Sequence, residues 1–227
     1  SNLSRVWAAL GKSVCSFENR EIHINQYISS ETQIFLDQKI GVMIHSSLPW
    51  ENNVSLCLVL EKPGEYTLTM RLPAWADGCK VTLNYEPVEV EISDISEDEI
   101  TANGLHFNRE RWMILKRKFQ NGDVVNLEFA MPIRLVRQHE RVPKCGGKSA
   151  VCRGPIVYCL EDKDNDIDIF NAIIQKESLK VVFTPSVLGG TWMINGETVE
   201  GKPVVFVPYL LWGNRGEGKM TVFVKDQ

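Results

Sequence analysis

Apolar residues recur with a helical spacing only at the start of the chain, and they alternate with polar residues along much of the remainder. Four apolar residues near the start share the spacing i, i+3, i+4, i+7: Leu3, Val6, Trp7 and Leu10. This stripe predicts a short helix that Ser1 or Asn2 caps and that Gly11 ends. Because the neighbouring sequence offers little apolar surface, we expect the stripe to pack against the rest of the fold or against a second copy.

After Asn19 the period of the pattern changes to two, which is the spacing of half-buried β-strands. Lys62–Glu65 predicts a turn, because proline presets φ at one position and glycine tolerates a positive φ at the next. Asn121–Asp123 contains an Asn-Gly step and predicts a tight hairpin. The strands predicted in this half lie near residues 22–27, 54–60, 66–72, 81–83, 112–119 and 124–129.

A second set of strands is predicted from Lys148 onward, after a basic segment at 133–143 that we interpret as a crossing connection. Asn195-Gly196 predicts another hairpin in this half. Asp162–Asp168 is acidic and predicts an exposed loop before a short apolar segment at 169–174. The predicted strands are 150–153, 156–160, 179–183, 191–194, 204–207 and 220–224.

Short strands with turns every 8–12 residues predict an all-β fold of two antiparallel β-sandwich domains, jelly-roll-like, preceded by one short N-terminal α-helix. Closed β-barrels are the second choice. A parallel α/β fold is disfavoured, because it needs a helix after each strand. We place the first sandwich at 19–135 and the second at 136–227, whose last strands could return to the first.

Composition and charge narrow the classes of function. The chain has 227 residues, 44% of them hydrophobic and 24% charged, which excludes a disordered, collagenous or coiled-coil protein. The net charge is −4, from 25 basic and 29 acidic residues, so we expect no nucleic-acid partner. We also expect no membrane partner, because no apolar run approaches the length of about 18 residues that a spanning helix needs. The N-terminal residues do not resemble a signal peptide, and the compartment stays open.

The cysteines and histidines do not suggest a metal site. None of the six cysteines forms a C-x-x-C pair, and we expect buried structural thiols more than a disulfide or a metal site. The cysteines are Cys15, Cys57, Cys79, Cys145, Cys152 and Cys159. The four histidines are scattered singly along the chain: His23, His45, His106 and His139.

A search for catalytic motifs finds no G-x-S-x-G elbow and no phosphate-binding loop. Gly213–Gly218 is rich in glycine, and two interpretations stay open: a functional arginine loop, or a tight turn in which Arg215 pairs locally. Glu89, Glu91 and the acidic stretch 94–99 are typical of solvated faces. The residues alone therefore predict no assembled active site.

Tryptophans are the remaining candidates for binding, because a flat apolar ring face suits a sugar. Trp112 alternates with core-type residues, which favours a core position. Trp50 and Trp75 lie near Pro49 and Pro73 at predicted strand ends, where exposure is expected. The candidate sugar-contacting residues are Trp50, Trp75 and Trp212.

Five short sequence motifs, taken in order, resemble one family, and the resemblance extends over essentially the whole chain. They are residues 48–50 (LPW), 72–78 (LPAWADG), 131–136 (MPIRLV), 153–161 (RGPIVYCLE) and 208–216 (PYLLWGNRG). Together they are similar to the C-terminal part of glycoside hydrolase family 127, the β-L-arabinofuranosidase group.

The resemblance implies an (α/α)6 catalytic barrel followed by two β-sandwich domains, with residues 1–18 as a remnant of the last barrel helix. In the family, a Cys-Cys-Pro segment before this helix holds zinc together with a glutamate and another cysteine. One of the paired cysteines is the thiolate nucleophile. None of the six cysteines here matches those positions, so we expect no catalytic residue, no metal ligand and no cofactor in this chain, with zinc in the missing barrel.

One turn departs from the family pattern. Where relatives often have Asn-Gly, this chain has Asn84-Tyr85. Because tyrosine is strained at positive φ, we expect a different turn type there.

The resemblance implies that the chain is the non-catalytic region of a glycosidase for L-arabinofuranosyl or related sugars, with the barrel as its partner in cis. The helix stripe Leu3, Val6, Trp7 and Leu10 is the expected contact surface. One rival hypothesis is a self-standing carbohydrate-binding module, which predicts tryptophans aligned on an exposed sheet face. The other is a protein-interaction or oligomerisation module that pairs copies through the stripe.

Overall fold

The computed structural model describes residues 2–94, 111–137 and 147–226. One α-helix, α1 (Asn2–Ala9), continues into a 3-10 turn at Leu10–Ser13, and strands make up most of the rest. The predicted all-β fold with one short N-terminal helix is confirmed. His106, His139, Cys145 and residues 95–99, all considered above, lie outside the described ranges.

The chain divides into two compact units, Ser1–Ala130 and Met131–Gln227. The strands of the first unit are β1 (Cys15–Glu18), β2 (Glu21–Ile24), β3 (Ser30–Phe35), β4 (Lys39–Ser46), β5 (Asn53–Leu60), β6 (Gly64–Leu72), β7 (Cys79–Leu83), β8 (Glu86–Pro87), β9 (Glu91–Asp94), β10 (Arg111–Phe119) and β11 (Val124–Phe129). They form one sheet of order β1-β2-β6-β10-β9 and a second of order β3-β4-β5-β11-β7-β8.

Alternation of side chains explains why both sheets bury one face. In β4, Ile40, Val42 and Ile44 are buried, while the alternate residues Met43 and His45 are exposed. Strand β5 repeats the pattern with Val54, Leu56, Leu58 and Leu60 inside. The core of this unit therefore lies between two sheets whose outer faces carry polar residues.

Two of the predicted turns connect strands that lie in different sheets. The turn at Asn121–Asp123 has Gly122 at φ +82°, but β10 pairs with β6 and β9 whereas β11 pairs with β5 and β7. The predicted hairpin is therefore wrong in its pairing, although the turn exists. The turn before Gly64 likewise connects β5 in one sheet to β6 in the other, and Gly64 does not adopt a positive φ.

The second unit is one sheet of nine strands. They are β12 (Ile133–Arg137), β13 (Lys148–Arg153), β14 (Ile156–Glu161), β15 (Ile173–Ile174), β16 (Lys180–Thr184), β17 (Thr191–Glu197), β18 (Pro203–Pro208), β19 (Met220–Thr221) and β20 (Phe223–Asp226). The order is β15-β20-β13-β14-β18-β17-β16, with β12 added to β13 and β19 to β14. The central strands β13 and β14 are buried along most of their length.

Two local predictions in this unit need correction. Residues 133–137 are a strand that pairs with β13, so the segment 133–143 does not begin as a crossing connection. Asn195 and Gly196 lie inside β17, and the chain turns at residues 198–202 instead. Gly196 suits the strand, because a Cβ there would lie 2.7 Å from a methyl carbon of Leu179.

Most pairings are antiparallel, but two are parallel: β2 with β6, and β15 with β20. The described part of the chain has no helix long and apolar enough to cross a membrane.

Candidate functional site

The stripe on α1 is exposed where its side chains are described. Val6 is 60% exposed and Trp7 is 67% exposed, while Leu10 is half-buried. The side chain of Leu3 lies outside the described part. The first unit therefore does not cover Val6 and Trp7, and the expected packing of the stripe against its own sandwich is not found there.

The candidate tryptophans lie in three different places. Trp75 is half-buried with its ring 5.6 Å from that of Phe129, and Trp50 is half-buried in the turn between β4 and β5. Trp212 is 42% exposed and follows a 3-10 turn at Tyr209–Leu211 whose Tyr209 and Leu210 are also exposed. Trp112 is half-buried on the outer face of its sheet with its ring 6.5 Å from that of His23, which differs from the core position predicted for it.

The described cysteines are free thiols, and four of them have little capacity for nucleophilic chemistry. Burial raises the pKa of Cys15 to about 11, and it raises the pKa of Cys79 and of Cys159 to about 12. Burial also raises the pKa of Cys152. Because the thiolate is the reactive form, these four thiols stay protonated and weakly reactive near neutral pH. Among the described residues, no three His, Cys, Asp or Glu side chains converge to hold a metal ion.

The glycine-rich loop at 213–218 is anchored by an ion-pair cluster, which we call the Arg215 cluster. The Arg215 guanidinium donates to both carboxylate oxygens of Asp164, at 2.8 and 2.5 Å, and to Glu161. The side chain of Glu161 is only 3% exposed, and its other oxygen accepts the backbone N–H of Gly213 at 2.9 Å. Both carboxylates lie about fifty positions away in sequence, so the predicted local pairing of Arg215 is corrected to a long-range one.

Three surface cavities are found in the described part of the chain. The one with the greatest volume, about 540 Å³, is a groove on the outer face of the six-stranded sheet. We call it the polar groove. The strand register forms its floor, because it aligns one outward-facing polar side chain from each of four neighbouring strands. This first row is His45 in β4, Ser55 in β5, Asn126 in β11 and Thr82 in β7.

A second row runs beside the first and continues the polar floor. Asn53, Glu128 and Lys80 stand opposite one another on β5, β11 and β7. The Lys80 ammonium lies 3.6 Å from the Glu128 carboxylate. Ser47 closes one end, where its hydroxyl donates to the Asn53 carbonyl at 2.9 Å.

Tyr85 stands at the rim of the polar groove and is 84% exposed. It occupies the two-residue turn between β7 and β8, where Asn84 has φ +50° and Tyr85 has φ +72°. The expectation of a different turn type is therefore wrong, since both residues adopt the left-handed conformation that Asn-Gly favours. The Asn84 side chain holds the turn by donating to Asp123 at 2.9 Å and accepting the Val124 N–H at 2.9 Å.

Sequence reasoning missed the polar groove, since β4 is not among the predicted strands and the pairing register is not visible in the sequence. The available signal is the alternation of Ile40, Val42 and Ile44 with outward residues such as His45.

Two family models match the chain one after the other. The model of the β-L-arabinofuranosidase GH127 middle domain matches residues 21–131, and the model of the glycoside hydrolase family 127 C-terminal domain matches residues 133–225. Among curated proteins, a non-reducing end β-L-arabinofuranosidase from Bifidobacterium longum subsp. longum is 24% identical over 258 residues. That alignment covers 98% of this chain and 36% of the relative.

Solved structures agree with these matches. A GH127 β-L-arabinofuranosidase from Geobacillus stearothermophilus T6 has a TM-score of 0.81 at 30% identity, covering 100% of this chain and 37% of that one. Another GH127 β-arabinofuranosidase has a TM-score of 0.77 at 26% identity, covering 100% of this chain and 38% of that one. The chain thus spans little more than a third of the length of the relatives it matches.

Proposed function

Because the chain belongs to glycoside hydrolase family 127, we propose that it is the non-catalytic β-sandwich region of a glycosidase acting on L-arabinofuranosyl or related sugars. The observation that carries this proposal is the succession of the middle-domain and C-terminal-domain matches over residues 21–131 and 133–225. Two of the relatives are named β-L-arabinofuranosidases and a third is named a β-arabinofuranosidase, and this chain corresponds to 36–38% of their length.

The chemistry of the described residues supports a non-catalytic role. Glu161 is the buried carboxylate of the described chain, and it is held by Arg215 and the Gly213 N–H. A carboxylate that is buried and paired in this way is shielded from a substrate. Four of the thiols are protonated by burial, which removes them as nucleophiles.

The exposed stripe on α1 supports a bracing role for the chain. Val6 and Trp7 present apolar surface that no described part of their own unit covers. Burial of apolar side chains stabilises a contact by about 25 cal/mol per Å², so a helical barrel packed on this stripe would gain stability. In this arrangement the sandwiches hold the catalytic barrel in its folded form.

A chimera tests both parts of the proposal. The Geobacillus relative is prepared in three forms: intact, without the 37% of its chain that this protein matches, and with this chain in place of that segment. We expect the truncated form to lose soluble yield and activity on an aryl β-L-arabinofuranoside, and the chimera to recover both. A chimera that behaves like the truncated form would contradict the proposed function.

A matched pair of stripe variants separates bracing from simple covalent linkage. We expect Val6→Ser with Trp7→Ser to lower the melting temperature of the chimera, because these side chains would face the barrel. Substitution by Ser of the exposed Phe35, which lies on β3 at the edge of the six-stranded sheet, should leave it unchanged. Equal effects of the two changes would argue against a contact through the stripe.

A further inference from the structure

We propose that the polar groove of the first unit binds a neutral oligosaccharide. This inference does not rest on the proposed function, because it follows from the side chains that the β-strand register brings together on one sheet face. The site is a floor of hydroxyl, amide and imidazole groups with one aromatic ring at its rim.

The first row of the groove is free to hydrogen-bond a ligand. Within the described part of the chain, the side chains of His45, Ser55, Asn126 and Thr82 make no hydrogen bond or ion pair. Together these groups offer both donors and acceptors, which is what the hydroxyls of a sugar require. With neighbouring strands about 4.8 Å apart, a row across four strands extends roughly 14 Å, which suits a short oligosaccharide more than a single sugar.

The rim residue Tyr85 is held in a conformation that costs stability. A left-handed φ strains a residue other than glycine, and such strain concentrates at functional sites. The clamp from Asn84 to Asp123 and Val124 keeps the turn in place despite that cost. The result is an 84% exposed phenol ring beside the polar floor, where its face or hydroxyl can contact a sugar ring.

The balance of charge in the groove favours a neutral ligand. Lys80 is paired with Glu128, and Glu51 adds a further negative charge to the lining. A polyanion such as nucleic acid or an acidic peptide would be repelled by the Glu51 carboxylate. The two rows offer it no unpaired cation in return, because Lys80 is already paired with Glu128. An apolar peptide segment is disfavoured as well, because the two aliphatic lining residues, Val54 and Leu127, are buried beneath the floor.

Titration of the whole chain with defined oligosaccharides tests the proposal. The probes are a neutral arabino-oligosaccharide, a neutral xylo-oligosaccharide and, as the charged comparison, an oligogalacturonate of the same length. Binding is measured by calorimetry and by NMR shifts of the Asn126 side-chain amide. We expect saturable binding of at least one neutral probe with shifts that include Asn126, and no saturation with the charged probe.

Three variants locate the binding. Tyr85→Gly removes the ring while suiting the positive φ, so it should fold at least as stably and bind about tenfold more weakly, equivalent to about 1.4 kcal/mol. Asn126→Ala should also weaken binding, because it removes both an amide donor and an acceptor from the floor. Lys116→Ala changes an exposed residue on β10, in the other sheet, and should leave binding unchanged.

The proposal is overturned if none of the neutral probes binds at millimolar concentration, or if binding survives both Tyr85→Gly and Asn126→Ala. Saturable binding of the charged probe alone would also overturn it. None of these outcomes bears on the chimera experiment, so failure of the groove and failure of the proposed function are distinguishable.

Discussion

At the scale of single residues, the Arg215 cluster explains a motif that the sequence left open between two interpretations. A glycine-rich loop with one arginine is compatible with a functional loop or with a turn. The structure shows that Arg215 is bound to Asp164 and to the buried Glu161. The sequence could not predict this pairing, because the partners lie about fifty positions away, at the end of β14 and in the 3-10 turn that follows it.

We expect Arg215→Ala to lower the free energy of unfolding by about 3 kcal/mol, because it leaves the Glu161 carboxylate buried without a counter-charge. Urea unfolding at neutral pH measures the change. The matched control is Arg20→Ala, which breaks an exposed pair with Asp37 at 2.6 Å and should cost about 1 kcal/mol or less. Equal losses in the two variants would show that burial of Glu161 does not strengthen the cluster.

At the scale of secondary-structure elements, alternation predicts individual strands better than it predicts their partners. β5, β6, β10 and β11 follow clear period-two patterns and lie near their predicted positions. β3 and β4 are absent from the predicted strands, although β4 carries the same alternation. Which sheet a strand joins depends on contacts between distant segments, so the crossing from β10 to β11 and the parallel pairing of β2 with β6 could not be foreseen.

The turn between β10 and β11 provides a test at this scale. Gly122 has φ +82°, and a Cβ added there would meet no atom within 4 Å, so only the backbone conformation opposes a side chain. We expect Gly122→Ala to destabilise the chain by about 1–2 kcal/mol. Gly11→Ala is the matched control: it has equally open space without a positive φ, and its effect should stay within about 0.5 kcal/mol. Thermal unfolding of both variants under one buffer condition makes the comparison, and a Gly11 effect as large as that of Gly122 would contradict it.

At the scale of the whole molecule, the family and the all-β class could be predicted from the sequence, whereas the polar groove could not. The family can be recognised from short contiguous sequence motifs, such as residues 72–78 and 208–216. The groove requires His45, Ser55, Asn126 and Thr82 to be aligned across four strands, which only the register establishes. The sequence does mark its rim residue as an unusual turn residue, but the conformation predicted for that turn is wrong.

The catalytic role of the chain is also a question at the scale of the whole molecule. The relatives are named as β-L-arabinofuranosidases or, in one case, as a β-arabinofuranosidase, and this chain matches little more than a third of each. The described residues instead present shielded thiols, a neutralised buried carboxylate and an exposed apolar stripe. These features support the function proposed above, in which the chain is the non-catalytic region of a glycosidase.

The most direct test is the release of nitrophenol from p-nitrophenyl β-L-arabinofuranoside by the purified chain, with the Bifidobacterium relative as positive control. The account predicts that the chain releases no more nitrophenol than buffer does, with or without added zinc. Turnover that survives repurification and disappears on heat unfolding would show that these 227 residues hold a complete active site, and it would contradict the account.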